Sequence, residues 1–327
     1  MRLSEGIRFG DHFAIDPTCR TPLAVISHAH SDHMRAHDKL IATAPTVDMA
    51  RLSFKKFEGV PIDYHQPIEI GPAKIELAPA GHMLGSAQII IDWEGERIVY
   101  TGDFKLDKNL TCKPAEIHKC DVLLIDTTYG KARYKFPSTE ECSQKLIEFI
   151  LKTLRTGVTP VILAYTVGKS QEAMKIIGDA GFEMDVHPKA YDAAQVYIKH
   201  GIDIKNIFPL GEKPSLGRVV VMPPGALKYQ NTYGWGRYKT CFLSGWTLDK
   251  VRSPWGGNGY GIPFSDHASF EDIVRYVEDA NPRQVYTLFG PGDIAEYLCR
   301  LGYKAEVAGF NSGHSLKPVS GSNFELF

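Results

Sequence analysis

Leu23-Ala24-Val25-Ile26-Ser27-His28-Ala29-His30-Ser31-Asp32-His33 is an apolar, strand-like run that ends in four metal-competent side chains packed into six residues. On an extended backbone His28 and His30 point the same way, because side chains alternate with period two. The turn that follows can swing Asp32 and His33 toward a neighbouring point. One short loop can therefore load two adjacent metal positions.

Two further segments extend the pattern. Gly81-His82-Met83-Leu84-Gly85-Ser86 places a histidine in a glycine-flanked loop just before an apolar run. Tyr100-Thr101-Gly102-Asp103-Phe104 places an aspartate just after the next one. Imidazole and carboxylate suit zinc, and a carboxylate has two oxygens with which to bridge two ions. We assign His28, His30 and His82 to one metal and Asp32 and His33 to a second, with Asp103 between them. His12, His37, His65, His118, His187, His200 and His314 have no such company and read as surface or packing residues.

The chain has 327 residues, 43% of them apolar, which is enough for two domains or one large one. Met1 to Glu5 lead into charged residues, and no run approaches the roughly 18 apolar residues of a membrane span. A cytoplasmic protein with no membrane partner is expected. The six cysteines are scattered without a close pair, a pattern of neither a disulfide framework nor a cysteine zinc site. A formal net charge of -1 points to no polyanion overall, although bound divalent cations would add positive charge.

Strand-like runs at 23–27, 87–93, 97–101, 122–125 and 159–164 alternate with amphipathic helical patterns at 138–153, 169–177, 191–200 and 269–280, an arrangement that predicts a layered α/β fold. Residues 130–240 alternate helix and strand without a comparable histidine cluster and read as an inserted domain. Residues 1–129 and 241–327 make up the principal domain, and Phe242 to Trp246 return to its style. The closing Gly321–Phe327 stretch reads as a mobile tail whose apolar end could dock on a repair or replication protein.

HAHSDH, GHMLGSAQ and TGDFK, in that order, resemble the metallo-β-lactamase fold. Ile125-Asp126-Thr127-Thr128-Tyr129-Gly130, Tyr165-Thr166-Val167-Gly168-Lys169 and Phe264-Ser265-Asp266-His267-Ala268-Ser269 resemble its β-CASP nuclease branch, nearest to Artemis-like DNA nucleases and bacterial ligase-associated DNA exonucleases. The resemblance runs from Asp11 to about Leu301. It implies an αββα sandwich built from both ends of the chain with a β-CASP α/β domain inserted. It also implies catalytic roles for Asp32, Asp103, Asp126 and His267. At the end of a strand Asp126 can hold a ligand imidazole, and His267 can contact the scissile phosphate or protonate the leaving oxygen.

One position departs from the pattern. RNA-cleaving members carry a further histidine ligand on the strand after His267, where this chain has Tyr286-Thr287-Leu288-Phe289-Gly290. A phenyl ring cannot ligate, so one zinc should bind tightly and the second more weakly, with Mn2+ or Mg2+ as substitutes. Loss of that histidine is a trait of DNA-directed members, although the ligase-associated proteins keep it.

A phosphodiester resists water, so its hydrolysis requires hydroxide at neutral pH and positive charge on the phosphoryl oxygens, both of which a zinc pair supplies. That chemistry predicts phosphodiester hydrolysis, and the resemblance implies DNA as the substrate, attacked from a 5′ end, in repair or end processing. Ser86, Gly168, Lys169, Trp235 and Arg237 are the candidate substrate contacts. The Gly168-Lys169 turn offers amides and an ammonium to phosphate, and Tyr233-Gly234-Trp235-Gly236-Arg237-Tyr238-Lys239 interleaves rings and cations as a single-strand platform would. An RNA nuclease of the same fold and a non-catalytic nucleic-acid-binding subunit are the competing readings. The intact set of six ligand candidates weighs against the second.

Overall fold

Seven strands form the sheet whose ends carry His82, Asp103 and Asp126, and a six-stranded sheet carries the His28–His33 loop. In the computed structural model, which describes residues 1–3, 5–229, 232, 234–249 and 260–308, the chain begins with β1 (Arg2–Leu3), β2 (Ile7–Phe9), β3 (Phe13–Ile15), β4 (Leu23–Val25) and β5 (Lys39–Ala42). Helix α1 (Ala44–Ser53) and β6 (Glu58–Pro61) follow, and the six strands form one sheet in sequence order. A second sheet starts with β7 (Ile68–Ile70), β8 (Ala73–Pro79), β9 (Ala87–Trp93), β10 (Glu96–Tyr100) and β11 (Val122–Asp126).

An intervening unit then contributes α2 (Thr139–Leu154), β12 (Thr159–Leu163), α3 (Lys169–Asp179), β13 (Met184–Val186), α4 (Pro188–Lys199), β14 (Ile207–Pro209), β15 (Val219–Met222), α5 (Pro224–Tyr229), β16 (Tyr238–Leu243) and β17 (Tyr260–Ile262). After it, α6 (Phe270–Ala280), β18 (Gln284–Leu288), α7 (Asp293–Arg300) and β19 (Ala305–Val307) complete the second sheet, ordered β19-β18-β11-β10-β9-β8-β7. The Gly321–Phe327 tail and Tyr233 lie outside the described residues.

The first compact unit comprises residues 1–108, 112–135 and 267–327. Its two sheets pack face to face. Strand β9 shows how: the run Ile89-Ile90-Ile91 is buried on both sides, as expected of a strand covered on two faces. Ile89 and Ile91 meet Phe9, Ile15, Val25 and Ile41 of the first sheet. Ile90 faces the other way, into a second cluster with Ile273, Tyr276 and Val277 of α6 and Ile294 and Leu298 of α7. With α1 along β5 and β6, this is the αββα sandwich expected from the sequence.

The second unit comprises residues 109–111 and 136–266, around a sheet ordered β14-β13-β15-β12-β16-β17. Here the expected boundary needs correction. Residue 240 falls inside β16, which pairs with β12 from Thr159↔Tyr238 to Leu163↔Phe242, so Phe242 to Trp246 belong to the insertion. The apolar strand pattern at 238–243 was legible, but which sheet would take it was not. Ser138 and Glu141 form the capping box their spacing suggests at the start of α2.

Candidate metal centre

In the second sheet β8, β10, β11 and β18 all point the same way, because β9 is antiparallel to both β8 and β10 while β10, β11 and β18 pair in parallel. Their C-terminal ends lie along one rim. His82 follows β8, Asp103 follows β10, Asp126 ends β11 and Phe289 follows β18. The loop after β4 brings His28, His30, Asp32 and His33 to the same place.

Three imidazoles form the heart of the site. The rings of His28, His30 and His82 stand 4.8–4.9 Å apart pairwise. His82 Nε2 lies 3.1 Å from His30 Nδ1, and Asp103 Oδ2 lies 3.4 Å from His28 Nε2 and 3.7 Å from His82 Nε2. Nitrogens sharing a tetrahedral zinc at about 2.05 Å would sit roughly 3.3 Å apart. The buried His28 Nε2 has no hydrogen-bond partner, a cost that a cation would remove. These four residues therefore fit a metal ion.

Asp103 spans two groups. Its Oδ2 faces His28 and His82 while its Oδ1 lies 3.4 Å from His33 Nε2. Asp32 stands at the rim with its side chain 80% exposed, 4.0 Å from His33 Nε2. The phenyl ring of Phe289 is centred 5.1 Å from the His33 ring.

Asp16, which sequence reasoning missed, organises the nitrogens. It is buried at the end of β3 and accepts from His33 Nδ1 at 2.9 Å, from Tyr100 OH at 2.9 Å and from the Ser27 hydroxyl. Because Ser27 donates to Asp16, its oxygen accepts from His28 Nδ1 at 3.0 Å. Both rings thus spend Nδ1 on this network and present Nε2 to the centre, the usual way an outer carboxylate fixes a ligand tautomer. The signal available was an aspartate ending the short apolar run Phe13-Ala14-Ile15, the same pattern that marked Asp126.

Charge follows the same layout. Burial holds the His28 ring far below the usual imidazole range, hence neutral. Burial also opposes charge on His33, but Asp103, Asp16 and Asp32 outweigh it and push the ring up to about 10. Asp103 is driven well below the carboxylate range because His33, His267 and His28 override its burial.

Asp126 holds an imidazole, and it is that of His267: Nδ1 donates to Asp126 Oδ2 at 2.9 Å, while Oδ1 accepts from Thr128 N and Oγ. His267 Nε2 then faces Asp103 Oδ2 at 3.9 Å. Two local devices place this ring: Ala268 N donates to Phe104 O at 2.7 Å, and Ser269 caps α6 in a box with Asp272.

The expected substrate contacts fare differently. Ser86 is buried and its hydroxyl accepts from His82 N and Met83 N, so it shapes the histidine loop instead of meeting a substrate. Gly81 beside it has φ +76°, and a Cβ there would fall 2.1 Å from Lys105 O, so only glycine fits. Lys169 is 3% exposed and ion-paired with the buried Asp266 at 2.8 Å, with Gly168 buried as well. Trp235 is 6% exposed in the core of the second unit, its Nε1 donating to Glu212 O. Among these candidates Arg237 alone has its side chain in the open. An apolar indole beside a glycine packs as readily as it stacks, and the sequence could not distinguish the two.

No protein-family model matches the chain. A probable DNA ligase of Opitutus terrae is 31% identical over 290 residues, covering 87% of this chain and 28% of the ligase. An RNase J-like protein of Methanocaldococcus jannaschii is 31% identical over 180 residues, 47% of this chain and 43% of that protein. The DNA cross-link repair protein SNM1 of Arabidopsis thaliana is 25% identical over 304 residues, 82% of this chain and 61% of the relative. The chain therefore spans less than two thirds of each of these relatives. A crystal structure of a protein of unknown function from Enterococcus faecalis V583 matches 86% of this chain and 78% of its own, with TM-score 0.61 and 13% identity.

The two-sheet sandwich is consistent with the metallo-β-lactamase fold. The homologues of the chain are proteins of the β-CASP nuclease family of the metallo-β-lactamase fold. Among the described residues no helix is long and apolar enough to cross a membrane.

Proposed function

We propose that this chain is a metal-dependent phosphodiesterase acting on DNA, a 5′-to-3′ single-strand exonuclease of repair or end processing. The observation that carries the reading is the placement of Asp103, whose two oxygens face two separate imidazole groups beside the orphaned His28 Nε2. His28, His30, His82 and Asp103 would hold one ion. Asp32, His33 and Asp103 would hold a second more weakly, since Phe289 offers no ligand. Zinc suits the donors, with Mn2+ or Mg2+ able to replace it. When bound, such a pair supplies Lewis acidity toward phosphoryl oxygens and lowers the pKa of a coordinated water.

The chain's own residues do the rest. Asp16 keeps the Nε2 atoms of His28 and His33 free for ligation. Asp126 fixes the His267 ring so that Nε2, on the Asp103 side, is placed to hold a phosphate oxygen or pass a proton to the leaving oxygen. Similarity to the cross-link repair protein and to part of a ligase supports DNA and a role beside strand rejoining. Similarity to the RNase J-like protein favours RNA as the second reading. Matched 5′-phosphorylated DNA and RNA strands, labelled at either end, decide between them. Shortening from the 5′ end with DNA faster than RNA is expected, and faster RNA cleavage overturns the substrate assignment.

A further inference from the structure

We infer that Phe289 is a stacking platform for a nucleobase beside the scissile phosphate, and so a specificity residue of the site; this rests on the nucleic-acid reading above. Four observations point to it. Strand β18 runs parallel to β11 with Leu288 level with Asp126, so Phe289 is the first residue past the rim that carries the ligands. Leu288 is buried in the core, yet Phe289 is 45% exposed. Its ring is centred 5.1 Å from the His33 ring at an interplanar angle of 59°, which places an aromatic surface at the edge of the metal centre.

The fourth is conformational. Phe289 has φ +61°, the left-handed region that a bulky side chain rarely adopts. Thr127 imposes it: its N and Oγ both donate to Leu288 O at 2.8 Å, and a Cβ on Gly290 would fall 1.8 Å from Thr127 O. Glycine or asparagine would satisfy that backbone at lower cost. A phenylalanine held there, with nearly half of its surface open to solvent, buries less than a core position would. A strained residue at a site's edge is a reasonable mark of function. A phosphate seated among the ligands brings its attached nucleoside to this edge, and every base has a face to lay on the ring.

The test uses Phe289→Gly, Phe289→Ala and Phe289→Tyr in the full chain. The glycine variant relieves the backbone, so a folding defect cannot explain its loss. On a 5′-phosphorylated single-stranded DNA, Gly and Ala should lower kcat/KM by roughly 5- to 150-fold, mainly through KM, with Tyr close to wild type. On the same strand with abasic residues at its two terminal positions the loss should shrink below about threefold. Equal losses on both strands would mean that the ring supports His33, and no loss on either would mean that it does nothing; each overturns the inference. A readout without catalysis is photocrosslinking of the chelator-treated protein to a strand carrying 5-iododeoxyuridine. A crosslink at Phe289 is expected even if no cleavage ever occurs, in which case the activity reading fails alone. Crosslinks only elsewhere, or none, sink the stacking role.

Discussion

The loop after β8 and the turn that opens α3 share a local grammar: Gly81-His82 and Gly168-Lys169 each set a positive-φ glycine, at +76° and +86°, before a polar residue near the end of an apolar strand. Their fates differ. His82 brings its ring into a cluster whose neighbour His28 leaves a buried nitrogen without a hydrogen bond, whereas Lys169 is spent on Asp266 inside its own unit. A glycine turn presents a side chain, but only partners left unsatisfied make it a site.

Substitutions at the two places should separate these fates. Asp103→Asn removes the carboxylate shared by both imidazole groups, and we expect hydrolysis of single-stranded DNA to fall on the order of 10³-fold. At the other turn the expected effect is on stability. Lys169→Met strands a buried carboxylate and should cost about 3–5 kcal/mol in urea unfolding, most of it recovered in Lys169→Met/Asp266→Leu. A Lys169 variant that keeps full stability but loses DNA affinity would reverse the comparison and restore the phosphate role.

Smaller effects sharpen the first region. Asp16→Asn loses the acceptor that orders His28 and His33, and metal affinity measured by chelator competition should drop about 10- to 100-fold. Phe289→His should raise second-site occupancy by elemental analysis, and unchanged stoichiometry would count against its position at that site. The metal-free protein should also show a pH signature. The folded His33 pKa of about 10 lies above the ordinary 6.5, so its contribution is complete below 6.5 and is lost as the pH rises toward 10. Melts of chelator-treated protein should show stability falling across that window, and a His33→Gln variant should show less of the fall.

The convergence of the histidines and Asp103 was legible because each motif is local. HAHSDH, His82 and Asp103 each sit just beyond a strand, and parallel strands bring such ends together. Asp16 was hidden because a single aspartate after three apolar residues has no company in the sequence. Its partners Ser27 and Tyr100 lie 11 and 84 residues away. Lys169, Ser86 and Trp235 misled for the opposite reason: composition says what a side chain can do but not whether the fold has already used it. The boundary at 240 failed similarly, since the pairing of β16 with β12 rather than with the second sheet is a long-range choice.

The most direct measurement strips the protein of metal with a chelator and titrates zinc back while following scission of an end-labelled single-stranded DNA. Activity should vanish on chelation and return with the first equivalents, and it should not return in Asp103→Asn. Undiminished scission by the fully chelated protein, or full recovery in the variant, would contradict a metal centre held by these residues.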